Sequence, residues 1–574
     1  MRNFFNLIYQ QAPNKILAYF IGLFFLLNIF QSVFTGLHAD EAYYWVYAQF
    51  LDWGYFDHPP MVALFIKTGE SFFHDPLALR LMTILSNSLS IFLLWQIVRK
   101  YQVDIWHFIL LISGILIFHV YAFITTPDVP LLLFGVMFLY VYQIYLKEDK
   151  LKWASALGII CAALMLSKYH GILLIFFTLL SNPKLFNRKS FYLTVFIGIA
   201  LCVPHLYWQY LNGYPSFYYH LIDRSAKPYQ LEYTLMYIIG QPLMMGPLVG
   251  WLFFYYGFKL KTGNDQFLSA LKFVSWGVLI FFFISSFKGS VQAQWPLVEF
   301  IALFILACVY VGQHPNHLLK FKWLFLINLA IILFARLTIT GAIMPLNKIR
   351  FVDQFQNYNI WAKEIKAVAK DNTIIFLNEF QQPSYYNYYT HSLKAVAYNS
   401  IKYRQTQYDL WPLEDSIQNN RIMLLKEGKS INKQTQEINT IKGIYNYEWI
   451  DSVRFYPKIK FEPLTFDKVW QPNEERLITF NVINPYHRTI DFTSKQQKWA
   501  CKFQYVYELD GEIVKIEKLP SALTDFAIEA KQSKKLFIKI KAPAIKGNYK
   551  LFLSIQTDPF IGTRNSKKIS LNVN

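Results

Sequence analysis

The stretch from His38 to Met61, directly after the first long apolar segment, combines ionisable and aromatic side chains. It reads His38-Ala39-Asp40-Glu41-Ala42-Tyr43-Tyr44-Trp45 and then Gly54-Tyr55-Phe56-Asp57-His58-Pro59-Pro60-Met61. A carboxylate beside a membrane span is costly unless it faces water, a partner or a substrate. A solvated loop with aromatic anchors would meet this condition, and so would an active-site loop at the membrane surface. We interpret the stretch as an active-site loop.

Apolar residues recur at helical spacing between the two acidic positions, from Tyr43 to Leu51, and predict a short helix. Such a helix would lie flat in the membrane interface, with Trp45 and Trp53 at the level of the lipid headgroups. Pro59-Pro60 then ends this stretch and predicts an extended chain through Asp57-His58.

This two-part motif resembles the first external loop of family-39-type membrane glycosyltransferases, which have the GT-C fold. They include enzymes like the dolichyl-phosphate-mannose-protein mannosyltransferases and, more distantly, the aminoarabinose transferases of lipid A. The likeness covers roughly residues 15–345. It implies transfer of one sugar, with inversion, from a polyprenyl-phosphate carrier to a glycolipid, glycan or protein acceptor.

Such a transfer makes two demands on side chains. The leaving group is already a stable phosphate and needs cations around it rather than a general acid. The acceptor hydroxyl needs a carboxylate base on the opposite face of the sugar. Asp40 is the best candidate for this base, and the resemblance implies the same role. Capping of the following helix by Asp40 is the alternative.

Asp128 and Glu41 are further acidic candidates. Asp128, within Thr125-Thr126-Pro127-Asp128-Val129-Pro130, resembles the second acidic position of the family, although the preceding residue there is usually Asn. A helix cap and a role toward the acceptor or sugar remain equally open for it. Glu41 adjoins Asp40, and we predict that it points away from the substrate or tunes the site.

Tyr55, Asp57 and His58 match a turn of the family in which an acid and a base precede two prolines. The lipid A branch has a phosphate-contacting lysine where this chain has His58, and histidine is only partly protonated near neutral pH. Asp57 and His58 could instead share a divalent metal ion, with His220 as a further weak candidate. Adjacent ligands alone are a poor metal signature, so no cofactor is firmly predicted.

The candidate phosphate ligands follow later in the chain. Lys168, in Ser167-Lys168-Tyr169-His170-Gly171, resembles a Ser-Lys-Tyr element of the family, although a snorkelling lysine is the common explanation for such a residue. Arg224 follows His220 by four residues and could bind phosphate through two parallel hydrogen bonds. Lys288 would be a third cation or a plain interfacial lysine. Tyr169 is predicted to contact substrate with Lys168.

Composition is consistent with a membrane protein. Of the 574 residues, 54% are hydrophobic and only 16% are charged, below the roughly 25% usual for soluble domains. The chain has a formal charge of +19, and the basic residues in the loops between apolar segments favour contact with anionic lipids over nucleic acid. The four cysteines are scattered and form neither a disulfide framework nor a zinc pattern.

Eleven segments are apolar and about long enough to span a bilayer. They are 15–36, 79–98, 105–123, 129–146, 153–167, 170–182, 190–208, 235–257, 267–287, 293–312 and 321–341. Alternate connections are short and basic, which predicts that the N-terminus is inside and the C-terminus is outside. Together with the family resemblance, this leads us to expect a protein of a bacterial inner membrane. The candidate site residues then all lie on the outer side.

The apolar pattern ends near residue 345, so the predicted domains are a membrane domain at 1–345 and two extracytoplasmic regions. Residues 346–454 predict a small α/β unit. Residues 455–574 show a period of two, as in Ile478, Phe480 and Val482, and predict a β-sandwich.

The sequence therefore predicts a polytopic α-helical membrane glycosyltransferase of the GT-C type. A transporter or flippase for polyprenyl-linked glycans is an alternative, but it would place charges near the middle of the membrane on broken helices, with related halves. A non-catalytic glycan-binding membrane protein is the other alternative.

Overall fold

The computed structural model describes residues 13–223, 229–428, 435–494 and 497–574. The chain divides into two compact units, one ending at Gln356 and the other comprising Asn357–Asn574. The first is helical throughout, and the second contains all the strands among these residues.

The helices of the first unit follow the predicted apolar segments closely. They are α1 (Pro13–Phe34), α2 (Ala39–Gln49), α3 (Met61–Glu70), α4 (Pro76–Val98), α5 (Ile105–Ser113), α6 (Leu116–Val120), α7 (Asp128–Lys147), α8 (Leu151–Ser167), α9 (Gly171–Ser181), α10 (Lys189–Leu211), α11 (Pro215–Tyr218), α12 (Leu231–Met245), α13 (Gly250–Lys259), α14 (Gln266–Ser286), α15 (Leu297–Gln313), α16 (Pro315–Lys320), α17 (Lys322–Ile339) and α18 (Arg350–Asp353).

Within the described residues, six helices are long and apolar enough to cross a membrane, namely α1, α4 with the turn that follows it, α7, α10, α14 and α17. The pair α12 and α13 would count as a seventh span, although it is bent by 90°. Helices α8, α9 and α15 are apolar but shorter. Every predicted segment is thus largely helical, while the number of eleven crossings stays a prediction.

Two of the predicted spans are broken helices, and one side chain stabilises both breaks. Asn328 on α17 is fully buried; its amide nitrogen donates to Gly114 O at 2.9 Å, and its Oδ1 accepts from Leu248 N at 2.9 Å. Gly114 lies between α5 and α6, and Leu248 lies between α12 and α13. Because lipid offers no hydrogen bonds, backbone groups freed at such breaks need protein partners. The side-chain amide supplies both.

The second unit begins with an α/β arrangement. It contains α19 (Tyr358–Ala369), α20 (Gln381–Thr390), β1 (Thr373–Leu377), β2 (Ala395–Tyr398), β3 (Ile422–Glu427), β4 (Gln436–Thr440) and β5 (Gly443–Ile450). The five strands form one mixed sheet in the order β2-β1-β3-β5-β4, with the first three parallel. Helices and a buried parallel core confirm the predicted α/β character.

Strands alone build the remainder. They are β6 (Lys460–Pro463), β7 (Val469–Trp470), β8 (Glu475–Ile483), β9 (Ile490–Asp491), β10 (Cys501–Leu509), β11 (Glu512–Lys518), β12 (Ala527–Ile528), β13 (Ser533–Lys541), β14 (Gly547–Thr557), β15 (Thr563–Arg564) and β16 (Ile569–Val573). The larger sheets have the orders β11-β10-β14-β16-β7 and β13-β8-β6.

The period-two pattern correctly predicts the core between these sheets. Phe480 and Val482 of β8 are fully buried, together with Phe503 of β10 and Leu551 of β14. The opposite face of β10 is covered too, because Val506 packs with residues from β14 and from the segment after β2. The two parts of the second unit therefore share buried contacts.

Candidate active site

The first turn of α2 is capped by residues other than Asp40. His38 is the N-cap residue: its ring nitrogen Nδ1 accepts from Asp40 N at 3.2 Å, and Glu41 Oε2 accepts from His38 N at 2.9 Å. This reciprocal pair satisfies amide groups at the start of the helix. The Asp40 carboxylate is left 39% exposed, with the His38 ring nitrogen 3.8 Å away. The capping alternative for Asp40 therefore loses its basis.

Glu41 belongs to a buried ion pair that supports this turn. Both Glu41 and Arg80 are fully buried and form a bidentate ion pair with distances of 2.8 and 2.6 Å. Glu41 Oε1 also accepts from Thr125 N at 2.9 Å. The remaining Arg80 donors bind the carbonyls of Ser32, Thr35 and Gly36 at the end of α1. Glu41 thus points away from the exposed face of Asp40, and a substrate contact would have to break these bonds.

Arg80 is the main residue that sequence reasoning missed in this region. It lies 39 residues from Glu41, in the first turns of an otherwise apolar helix. Charged residues inside a span are rare and usually paired, so the presence of Arg80 in this segment could have indicated a buried ion pair.

Asp57 and Tyr55 hold the second part of the motif against α2. Asp57 Oδ2 accepts from the hydroxyls of Tyr43 at 2.9 Å and Tyr47 at 3.2 Å. The buried Tyr55 hydroxyl donates to the carbonyls of Tyr47 and Phe50, and its ring stacks on that of Tyr47 at 4.0 Å. Burial raises the pKa of Tyr55, so its hydroxyl stays a donor. Tyr55 therefore closes the loop in this structure.

The loop carrying Asp57 docks onto α10. Trp208 donates to Asp52 Oδ2 at 2.7 Å, and His205 Nδ1 lies 2.7 Å from Trp53 O. A Cβ atom at Gly54 would come within 2.5 Å of the Trp208 ring, so only glycine permits this approach. Trp53 itself is 55% exposed, as an interfacial anchor would be.

Trp45 does not match the predicted anchor role. Its side chain is only 6% exposed, and its indole nitrogen donates to Glu70 on α3. The helix α2 is buried around nearly its whole circumference, so its aromatic residues pack inside the protein. The periodicity indicated the helix correctly, but it could not distinguish burial in protein from burial in lipid.

Tyr169 and His220 join the same assembly. The Tyr169 hydroxyl accepts from Gln209 at 3.1 Å, and Gln209 also donates to Ser216, which in turn donates to Tyr55 O at 2.8 Å. His220 Nε2 lies 2.9 Å from Asp57 O, and its ring centroid is 6.4 Å from that of His58. These residues form a polar and aromatic cluster that packs against the second part of the motif.

Asp128 and Lys168 form a second buried ion pair. Lys168 Nζ donates to Asp128 Oδ1 at 2.7 Å, and both side chains are less than a tenth exposed. This carboxylate is not the side-chain cap of α7, because Pro127 occupies the N-cap position and Thr126 Oγ1 accepts from Asp128 N at 3.3 Å. A phosphate at Lys168 would have to share the ammonium group with Asp128.

The other two predicted cations are less defined. Lys288 is exposed in the turn after α14, and no hydrogen bond or ion pair of its side chain occurs among the described residues. Arg224 lies outside the described residues.

The weak metal hypothesis gains no support from the geometry. In the described part of the chain, no group of three His, Cys, Asp or Glu side chains is arranged to hold an ion. Asp57 Oδ2 is occupied by two tyrosine hydroxyls, and His220 Nε2 faces a backbone carbonyl. These residues do not fit a metal centre as they stand, and no step below uses one.

Comparisons with known proteins agree with the predicted family resemblance. A sequence profile of the dolichyl-phosphate-mannose-protein mannosyltransferase family matches residues 57–208. The lipid A galacturonosyltransferase RgtD of Rhizobium johnstonii is 23% identical over 287 residues, which are 48% of this chain and 60% of that protein. The chain thus spans less than two thirds of the length of this curated relative.

Solved structures extend the likeness to the fold. Crystal structures of ArnT from Cupriavidus metallidurans, in the apo state and bound to undecaprenyl phosphate, superpose with a TM-score of 0.56 at 14% identity. The match covers 76% of this chain and 98% of each ArnT chain. These findings confirm the GT-C fold and the predicted resemblance to membrane glycosyltransferases distantly related to the lipid A aminoarabinose transferases.

Proposed function

We propose that this protein is an integral membrane glycosyltransferase that moves one sugar from a polyprenyl-phosphate donor to an acceptor hydroxyl. The state of the Asp40 carboxylate is the observation that carries the proposal. His38 and Glu41 perform the capping, and Arg80 neutralises Glu41, so Asp40 remains exposed and uncommitted within a rigid frame. A carboxylate held in this way can accept a proton from a bound hydroxyl.

In the proposed reaction, Asp40 removes the proton of the acceptor hydroxyl while the acceptor oxygen attacks the anomeric carbon of the sugar. The bond from that carbon to the phosphate oxygen breaks, and its electron pair leaves with the polyprenyl phosphate. Attack opposite the leaving group inverts the anomeric configuration. The phosphate needs cations rather than a proton, and Arg224, Lys288 and His58 are the proposed ligands.

Lys168 has a different proposed role. Because its ammonium group is bonded to Asp128 in a nearly dry environment, it neutralises that carboxylate and holds the start of α7 in place. Lys168 can still bind the phosphate of a donor, because a bound anion competes directly with Asp128 for the ammonium group.

The acceptor is proposed to be a glycolipid, glycan or protein at the outer face of a bacterial inner membrane, with the second unit extracytoplasmic. The basic connections on the opposite side support this orientation. A periplasm-dependent reporter fused after Asn574 should be active, and activity only from a cytoplasm-dependent reporter would contradict the orientation.

The decisive experiment replaces Asp40 with Asn in detergent-purified protein. The variant keeps the shape of the side chain but cannot take a proton, so transfer should fall by roughly two to four orders of magnitude. Donors would be undecaprenyl phosphate carrying radiolabelled mannose, galacturonic acid or aminoarabinose, with lipid A as the first acceptor and envelope glycans and proteins as further acceptors.

Asp104→Asn is the matched control, because Asp104 caps α5 through its side chain and asparagine caps equally well. The control should keep both its transfer rate and its melting temperature. Near-normal transfer by Asp40→Asn would exclude Asp40 as the base, and no transfer by the native protein from any of these donors would contradict the proposed function itself.

A further inference from the structure

Tyr44 lies in the candidate site and has no role in the proposed chemistry so far. It follows Asp40 by four residues on α2, so the two side chains share one face of the helix. Its side chain is 7% exposed. Its ring lies 5.7 Å from that of His58 and 5.4 Å from that of Tyr47, so both sides of the motif fix its position.

The hydroxyl of Tyr44 differs from those of its neighbours. Tyr43 and Tyr47 both donate to Asp57, and Tyr55 donates to backbone carbonyls. By contrast, no hydrogen bond of the Tyr44 hydroxyl occurs within the described part of the chain. A hydroxyl that makes no hydrogen bond within the protein is available as a donor to a ligand or to water.

The charges near Tyr44 restrict what that ligand can be. Burial raises the pKa of Tyr44 well above its ordinary value, and the charges of Asp40, Asp57 and Asp128 raise it further. The phenol is therefore a neutral donor throughout the physiological range. Asp128 is balanced by Lys168, but Asp40 is paired with no lysine or arginine among the described residues, so the neutral hydroxyls of a sugar are favoured over a phosphate group beside it.

We infer that Tyr44 is a substrate-contacting residue whose hydroxyl donates a hydrogen bond to an oxygen of the transferred sugar, close to Asp40. The inference rests on the proposed function and adds to it a position for the sugar. The sugar lies over the first turns of α2 beside Asp40, and its phosphate lies toward the proposed phosphate ligands. Tyr44 thereby becomes a residue that selects the sugar by its hydroxyl pattern.

Tyr44→Phe tests this inference, because it removes only the hydroxyl and leaves no protein group without its partner. We expect kcat/KM for sugar transfer to fall by about tenfold to a hundredfold, since a hydrogen bond to the sugar is lost. The melting temperature and the affinity for undecaprenyl phosphate without a sugar should stay at the native values. Tyr19→Phe, at an exposed position of α1, is the matched control and should change none of these quantities.

Donors with single deoxy positions sharpen the test. One deoxy donor should be transferred equally well by the native protein and by Tyr44→Phe, because the contact is already absent. Unchanged transfer by Tyr44→Phe, a lower melting temperature, or a loss of undecaprenyl-phosphate binding that matches the loss of transfer would each overturn the inference. A native protein that binds undecaprenyl phosphate but transfers none of the sugars would instead overturn the proposed function, and the inference with it.

Discussion

Two buried carboxylates, one in each unit, hold irregular backbone in place by different means. Glu41 in the first unit faces the Arg80 guanidinium and also accepts from backbone amides. Asp409 in the second unit accepts from Thr406 N and from the Asn399 side-chain amide, both at 2.7 Å. The first carboxylate is opposed by a full charge, whereas the second is held by neutral donors.

This difference has a consequence for pH sensitivity. Burial raises the pKa of Asp409 to about 6, and its hydrogen bonds and two nearby arginines offset only part of that effect. A buried carboxylate that is held by neutral donors therefore gives a support that titrates. Asp40 belongs to neither class, because its carboxylate is 39% exposed and has only the His38 ring nitrogen, 3.8 Å away, as an ion-pair partner among the described residues.

The largest expected effect comes from removing the charge of Glu41. Glu41→Gln leaves the buried Arg80 without a counter-charge and should lower the free energy of unfolding by about 3–5 kcal/mol. Asp40→Asn, one residue away, should lower it by less than about 1 kcal/mol. Thermal and denaturant unfolding of the purified variants measures both values. Equal losses for the two variants would show that the comparison between these neighbours is wrong.

The next effect is the pH dependence that Asp409 introduces. The folded-state pKa of about 6 lies above the unfolded value of 3.8, so folding favours the protonated carboxyl. The stability it contributes is fully present below about pH 4 and is lost as the pH rises through about 6. The loss should be on the order of 2–3 kcal/mol.

Asp409→Asn should abolish this slope, because the amide oxygen can accept the same two hydrogen bonds and does not titrate. Melting temperatures of the full chain between pH 4 and 7, native minus variant, isolate the contribution of this one group. Asp467→Asn, at a strongly exposed carboxylate, is the control and should leave the slope as it is. A slope that survives Asp409→Asn would assign the pH dependence to other groups.

A smaller effect is expected for the pair of Lys168 and Asp128. Lys168→Met and Asp128→Asn should each destabilise the protein, and the double variant should recover part of the loss, with a coupling of about 1–3 kcal/mol. A snorkelling lysine would show no coupling. Unfolding measurements on the four proteins of this cycle give the value directly.

The smallest effect is expected at Tyr43. Tyr43→Phe removes one of the two hydroxyls that donate to Asp57 Oδ2, and Tyr47 continues to bind that oxygen. The free energy of unfolding should fall by about 0.5–1.5 kcal/mol. Tyr19→Phe again serves as control, and an identical result for the two variants would mean that the Asp57 contact contributes nothing measurable.

The sequence alone determined most of the helices and strands and indicated one candidate site among them. The apolar periods indicated the helices, the period of two indicated the strands around Phe480 and Phe503, and the motif from His38 to Met61 located the candidate site. These features could be predicted because each depends on residues that lie near one another in the chain. The GT-C fold followed from the resemblance of the motif.

Only the tertiary structure decided which charged groups remain available. Asp40 and Glu41 are adjacent acidic residues, and the sequence could not show that Glu41 meets Arg80, 39 residues away. Lys168 and Asp128, predicted as separate site residues, are 40 residues apart and bind each other. A buried carboxylate becomes a support when a cation or hydrogen-bond donors reach it in a dry environment, and a carboxylate that they do not reach stays available. That outcome depends on contacts between distant elements, which no local pattern contains.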